Sequence, residues 1–203
     1  DAVKKIHPLK SGPAVVRTSP VGVPEKGCWF GAHAPESPST PSSPTTFGSI
    51  MAFARRVAKL PTWIHIVRPW QDDVGKWTKF PEEELREITA TGATPILTWE
   101  SSWAGRTIED SFILEGRADT HLRDWADNAR RFSQPFVLRL SRSLGAPAFR
   151  HVRKLFDARG ARTAAWMWSP IMRVAGALSE TGDTPVIART PEWPGEAYVD
   201  WIG

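Results

Sequence analysis

Five short apolar runs, each ending in a tryptophan or a polar tip, most constrain what this chain can fold into. They are Trp63–Trp70 (WIHIVRPW), Pro95–Glu100 (PILTWE), Pro135–Ser141 (PFVLRLS), Thr163–Pro170 (TAAWMWSP) and Tyr198–Gly203 (YVDWIG). Their Val, Ile, Leu, Trp and Phe are fused rather than strictly alternating, the pattern of strands buried on both faces. Stretches of helical period lie between them. Strands alternating with helices imply parallel order and right-handed crossovers. Tips that turn polar and aromatic at the ends of such strands are where a ligand cleft is built.

The elements between the tips follow from local signals. Residues 1–26 hold Pro8, Pro13, Pro20 and Pro24 without helical or strand period, and read as an extended basic, proline-rich arm. Such an arm is either a loose terminus or a strap on the body or on a partner. Residues 27–203 form the body. Cys28–Ala34 is a first short strand, and Pro35–Thr46 is a proline-broken Ser/Thr/Pro loop. Ser49–Leu60 predicts a helix with Ile50, Phe53, Ala54 and Val57 on one face. Pro81–Thr91 predicts another: Pro81 suits a first turn, Glu82, Glu83 and Glu84 favour its positive end, and Gly92 stops it. Thr120–Phe132 carries the stripe Leu122, Trp125, Ala126, Ala129 and Phe132. Pro147–Arg159 buries Val152, Leu155 and Phe156 ahead of Gly160. A long loop and a short helix-like turn lead to the sixth strand.

Composition narrows the classes. A hydrophobic fraction of 41% fits a globular core, and no apolar run approaches the ~20 residues that cross a bilayer. The single Cys28 excludes an internal disulfide and reads as a small buried strand residue rather than a nucleophile. The formal charge is +4, but residues 1–26 hold five basic against two acidic residues, so the body carries only +1. A nearly neutral body is not a phosphate-binding face, which argues against a nucleic-acid partner. His7, His33, His65, His121 and His151 match no metal spacing. There is no GxSxG elbow and no phosphate-binding glycine loop. No metal or other cofactor is expected.

Six β/α units occupy the 177 residues from Gly27 onward, whereas an eight-unit barrel typically needs ~250. The expected fold is therefore α/β: an incomplete, TIM-barrel-like (β/α)8 relative of about six units with an extended N-terminal arm. Six parallel strands leave two open edges, so the chain is a fragment, has a partner over the gap, or is rebuilt as an open sheet.

An ordered series of motifs resembles glycoside hydrolase family 26, which is mainly β-mannanases on (β/α)8 barrels. It runs through Phe30-Gly-Ala-His-Ala-Pro35, Arg68-Pro-Trp70, Gly92–Glu100 (GATPILTWE), Gly116–Ala126 (GRADTHLRDWA), Val137-Leu-Arg139 and Phe149-Arg-His-Val152. It continues with Gly160-Ala161, Trp166-Met-Trp-Ser-Pro170 and Pro194–Gly203 (PGEAYVDWIG). The resemblance implies a retaining mechanism with two glutamates, an acid/base and a nucleophile. The acid/base is expected just beyond Leu138-Arg139, in a His-Glu-Met-Asn-like stretch. Here that stretch is Leu140-Ser-Arg-Ser-Leu-Gly145, with Ser143 in the glutamate's place and Arg142 in the histidine's. A serine hydroxyl cannot protonate a leaving glycosidic oxygen as a raised-pKa carboxyl does. The nucleophile belongs on a seventh strand that this chain lacks. The resemblance thus implies a truncated relative without the family's catalytic glutamates, and it favours a secreted location.

Five residues are candidates for substrate binding: Trp70, Trp99, Glu100, Arg139 and Trp168. Trp70, Trp99 and Trp168 stand at strand tips, where a ring could stack on a pyranose or cap the core. Trp70 reads as a former site wall. Trp168 is open to either reading, because period two points it the same way as Trp166. Glu100 could bind a hydroxyl, replace the lost acid, cap a helix or pair with Arg139, and the structural roles are the commoner ones. Arg139 is expected to hydrogen-bond beneath the cleft floor. Asp72 and Asp73 read as solvated loop charges.

Two functions compete. One is a non-catalytic scaffold that binds a glycan, β-mannan-like polysaccharide above all, or a protein partner that contacts the arm. The other is a retaining endo-β-mannanase whose nucleophile-bearing part lies outside this chain.

Overall fold

A computed structural model describes residues 19–22, 25–26, 30–33, 45–103, 106–141, 143–169, 174–175, 186–187 and 192–203. The expectations for Cys28, Arg142, residues 1–18 and most of the Ser/Thr/Pro loop lie outside them. In chain order the elements are β1 (Gly31–His33), α1 (Thr45–Val57), β2 (Trp63–Pro69), α2 (Glu82–Ala90), β3 (Thr94–Glu100), β4 (Ser102–Trp103), β5 (Arg106–Thr107) and α3 (Asp110–Leu114). There follow α4 (Asp119–Phe132), β6 (Phe136–Leu140), α5 (Ala146–Ala158), β7 (Ala164–Trp168), β8 (Val174–Ala175), β9 (Val186–Ile187) and β10 (Trp201–Ile202).

Six strands form one parallel sheet in the order β1-β2-β3-β6-β7-β10. Every new strand joins the same edge. A doubly wound sheet reverses its order at a switch point. A sequence of crossovers that never reverses keeps the helices on one face and lets the sheet curl in one direction.

The curl shows in one aromatic contact. Trp201 is level in register with Val67 through Met167, Arg139 and Thr98. Trp63 lies four residues below Val67 on β2, with three strands between it and β10. In a flat sheet, four strand spacings alone would separate their backbones by roughly 19 Å. Yet the Trp63 and Trp201 rings meet edge-on with centroids 5.6 Å apart. The strands are tilted and the sheet is rolled into a barrel-like arc.

Side-chain parity now divides the strands into two faces. The helix-covered convex face takes Ile64, Ile66, Trp70, Leu97, Trp99, Phe136, Leu138, Leu140, Ala164, Trp166 and Trp168. They pack against Ile50 of α1, Leu85 and Ile88 of α2, Leu122 and Trp125 of α4, and Phe149 and Phe156 of α5. The concave face carries Val137, Ala165 and Met167, with Trp63, Ile96 and Trp201 around them. Val21, from the arm, packs into this second cluster and is 6% exposed.

Local chemistry sets the helix ends. Three glutamates occupy the first turn of α2, Arg86 bonds Glu82 one turn back, and Gly92 takes the left-handed backbone (φ +84°) that ends it. The first helix lies earlier than the expected Ser49–Leu60. Ala58 turns left-handed (φ 52°) and the Lys59 amide reaches back to the Ala54 carbonyl at 3.1 Å, so the helix stops at Val57. The last strand, expected over Tyr198–Ile202, is two residues rather than five, because a turn closed by Tyr198 N–H on the Gly195 carbonyl occupies its first part.

Among the described residues no helix lies between β7 and β10. Residues 192–200 run beside α5 instead: Arg150 bonds Glu192, Lys154 lies over the Tyr198 ring, and Arg153 pairs with Asp200. Asp200 also accepts the Trp166 amide at 2.8 Å and so fastens β10 to β7. The pair is buried, at 7% and 8% exposure, and the Arg153 guanidinium rests on the Trp166 ring.

Candidate functional site at the mouth of the concave face

The concave face is graded from one end of the strands to the other. Its floor is apolar: Trp63, Ile96, Val137, Ala165, Met167 and Trp201 with Val21. Its middle is polar. Arg139 Nε donates to Thr98 Oγ1 at 2.7 Å, Thr98 Oγ1 lies 2.7 Å from His65 Nε2, and Arg139 Nη2 lies 3.3 Å from the same nitrogen. Arginine only donates, so Nε2 is assigned as the acceptor and the imidazole proton to Nδ1. Thr98 is fully buried, and a buried hydroxyl must find such partners.

The mouth, at the C-terminal ends of β3 and β6, is a carboxylate followed by hydroxyls. Ser141 Oγ donates to Glu100 Oε2 at 2.9 Å. Ser143 Oγ is 2.8 Å from Ser141 Oγ, and Ser101 Oγ is 3.4 Å from Ser143 Oγ. Each hydroxyl has one proton. Ser141 spends its proton on Glu100, so Ser143 donates to Ser141 and Ser101 to Ser143. The whole chain of protons points at the carboxylate. What remains for a ligand is a set of oxygen lone pairs, which accept hydrogen bonds from O–H or N–H groups.

The candidate residues separate by parity. Glu100, Arg139 and Ser143 come together on the concave side. The Trp70, Trp99 and Trp168 rings do not join them: of the two expected readings, stacking on a sugar or capping the core, their burial fits the second, against the reading of Trp70 as a site wall. Trp70 and Trp99 are fully buried and Trp168 is 5% exposed. Trp99 stacks on Trp125 at 3.8 Å and 11°, Trp70 packs on Trp99 at 4.6 Å, and Trp168 meets Phe149 edge-on at 5.2 Å. The physical reason is the period of two. Trp70 shares parity with Ile64 and Ile66, and Trp99 with Leu97, so all point under the helices. Trp166 and Trp168 do point the same way, as expected, into the same core.

His65 and Thr98 were not among the sequence candidates. Their signal was available: Thr98 stands one strand over from Arg139 and His65 two, both on the face of Glu100. Asp72 is more than a solvated charge. Its Oδ1 accepts the Val74 and Lys76 amides at 3.1 and 2.8 Å and shapes the loop after β2.

Behind the convex aromatic wall sits His121. Its ring lies 4.5 Å from Trp77 and 5.5 Å from Trp99, and its buried Nε2 has no hydrogen-bond partner. Burial lowers its pKa from 6.5 to about 4, so the ring is neutral at pH 7. His151 bonds Asp119 at 2.7 Å. Among the described residues no three His, Cys, Asp or Glu converge as metal ligands, and no helix is long and apolar enough to cross a membrane.

The fold and this mouth define an α/β protein of the incomplete (β/α)-barrel type, with its polar end where barrel strands finish. Comparison with solved structures gives that class a particular likeness. The catalytic domain of a glycoside hydrolase family 26 endo-β-1,4-mannanase from Bacillus sp. JAMB-750 is similar with a TM-score of 0.50 at 16% identity, over 86% of this chain and 56% of that one. A family 26 β-mannanase from Bacteroides ovatus is similar with a TM-score of 0.48 at 15% identity, over 88% and 61%. This chain therefore spans less than two thirds of either structure, and at such identities the likeness is one of fold. No protein-family profile and no curated protein sequence matches the chain.

Proposed function

We propose that this chain is a glycoside-hydrolase-like barrel that binds a polyhydroxylated ligand, β-mannan-like polysaccharide first among them, without cleaving it. The observation that carries this reading is the run of protons from Ser101 through Ser143 and Ser141 to Glu100, which leaves the mouth rich in acceptors for sugar hydroxyls. Glycoside cleavage needs two carboxylates about 5–10 Å apart, one of them protonated. Among the described residues Glu100 is the only carboxylate that ends a strand of the main sheet, and Ser143 is an alcohol.

The test pairs two assays on the same protein. Electrophoretic retardation in soluble β-mannan reports binding, and reducing-end release reports hydrolysis. Retardation without new reducing ends supports the reading, and Glu100→Gln should weaken it about tenfold, the loss of one charged hydrogen bond of ~1.4 kcal/mol. Absence of retardation on mannan and other soluble glycans overturns it. The second reading, a retaining endo-β-mannanase completed by residues outside this chain, draws on the fold likeness to a mannanase catalytic domain. It expects new reducing ends once the completing segment is supplied.

A further inference from the structure

We infer that residues 19–22 are a built-in plug: the arm closes the floor of the concave face from within the same chain. In a closed eight-stranded barrel, layers of side chains from all the strands fill the interior. Here six strands face it, and Val21 completes the apolar layer formed by Val137, Ala165 and Met167.

Three features fit this segment to the role. Val21 is 6% exposed although it belongs to an arm without regular structure in its described part. The Val21 amide is met locally by Ser19 Oγ at 3.2 Å, so inserting the side chain does not bury an unpaired donor. Gly22 and Lys26 lie exposed on its far side, so the chain returns to solvent at once. Trp63 and Trp201 meet across the same floor and make the other half of the seal.

The consequence is a cup open at one end. Ligands reach the middle layer of His65, Thr98 and Arg139 through the Glu100 mouth and not from below. Withdrawing the arm would uncover an aromatic and aliphatic floor that takes apolar molecules.

The experiment uses the full chain with Val21→Asp, Val21→Ala and a Gly22→Ala control, whose added methyl would meet open space. Binding of an anionic naphthalene dye reads exposure of the floor, tryptophan emission reads the Trp63–Trp201 environment, and trypsin reads access to the bond after Lys26. Val21→Asp should raise dye fluorescence several-fold, shift emission to the red and speed that cleavage about tenfold, since local opening sets cleavage rates. Val21→Ala should move each readout the same way by less, and Gly22→Ala should move none. Should Val21→Asp fail to fold, as read by far-UV circular dichroism, Val21→Ala alone carries the comparison. Folded Val21 variants that match wild type in dye binding, emission and cleavage would overturn the plug.

Discussion

The two faces of one set of strands have opposite characters. On the convex side the five buried tryptophans, Trp70, Trp99, Trp125, Trp166 and Trp168, are nearly sealed from water, each packed on another ring. On the concave side the same strands and their tips carry a carboxylate, hydroxyls and a guanidinium within a few residues of an apolar floor. Adjacent residues belong to different worlds: Trp99 is core and Glu100 is mouth. In a curled parallel sheet the convex face supplies stability and the concave face is left free to vary, because the helices cover only one of them.

The contrast can be broken most forcefully from the convex side. Trp99→Ala removes the ring stacked between Trp70 and Trp125 and should cost about 4 kcal/mol, seen as a large fall in the urea midpoint. Asp200→Ala removes one of the two carboxylates paired with the buried Arg153, Asp157 being the other, and frees the last strand from the Trp166 amide. It should cost about 3 kcal/mol, with hydrogen exchange rising at β10 before the rest of the sheet.

Acid tests the same wall at His121. The folded pKa of about 4 lies below the ordinary histidine value of 6.5, because burial disfavours the charged ring. Above pH 6.5 the ring is neutral whether folded or unfolded and makes no difference to stability. Between pH 6.5 and 4 only the unfolded chain takes up the proton, so stability is lost as pH falls. The loss reaches roughly 2–3 kcal/mol near pH 4 after allowance for the ring's partial exposure. His121→Phe should flatten that part of the stability–pH curve; an unchanged slope would show that other groups set it.

The smallest effect is expected on the concave side. Glu100→Gln keeps the shape of the mouth and an acceptor for Ser141, so its urea midpoint should stay within ~1 kcal/mol of wild type while glycan retention falls. A large loss of stability instead would make Glu100 a structural group and erase the division between the faces.

Much of the architecture was legible in the chain. The alternation of apolar runs with helical stretches specified parallel β/α units, and Gly92 and the Glu82–Glu84 turn marked the ends of α2. The small hairpins β4–β5 and β8–β9 were not legible, since two-residue strands leave no periodic signal. The site was half legible. Glu100 and Arg139 could be singled out as polar residues on apolar strands, and Ser143 only through the family resemblance. The three tryptophans stayed ambiguous between site and core because a tip position says how far along a strand a ring stands and not which way it points.

By itself the sequence determined the order of the main-sheet strands and the longer helices between them and which residues share a face, because these follow from the local periods of 3.6 and 2. The tertiary structure alone decided which of the two faces the helices cover, and so which residues became core and which became mouth. Strands apolar on both sides do not label their faces. The label comes from the direction of curl, which brings together partners as distant in sequence as Trp63 and Trp201 and seats Val21 beneath them.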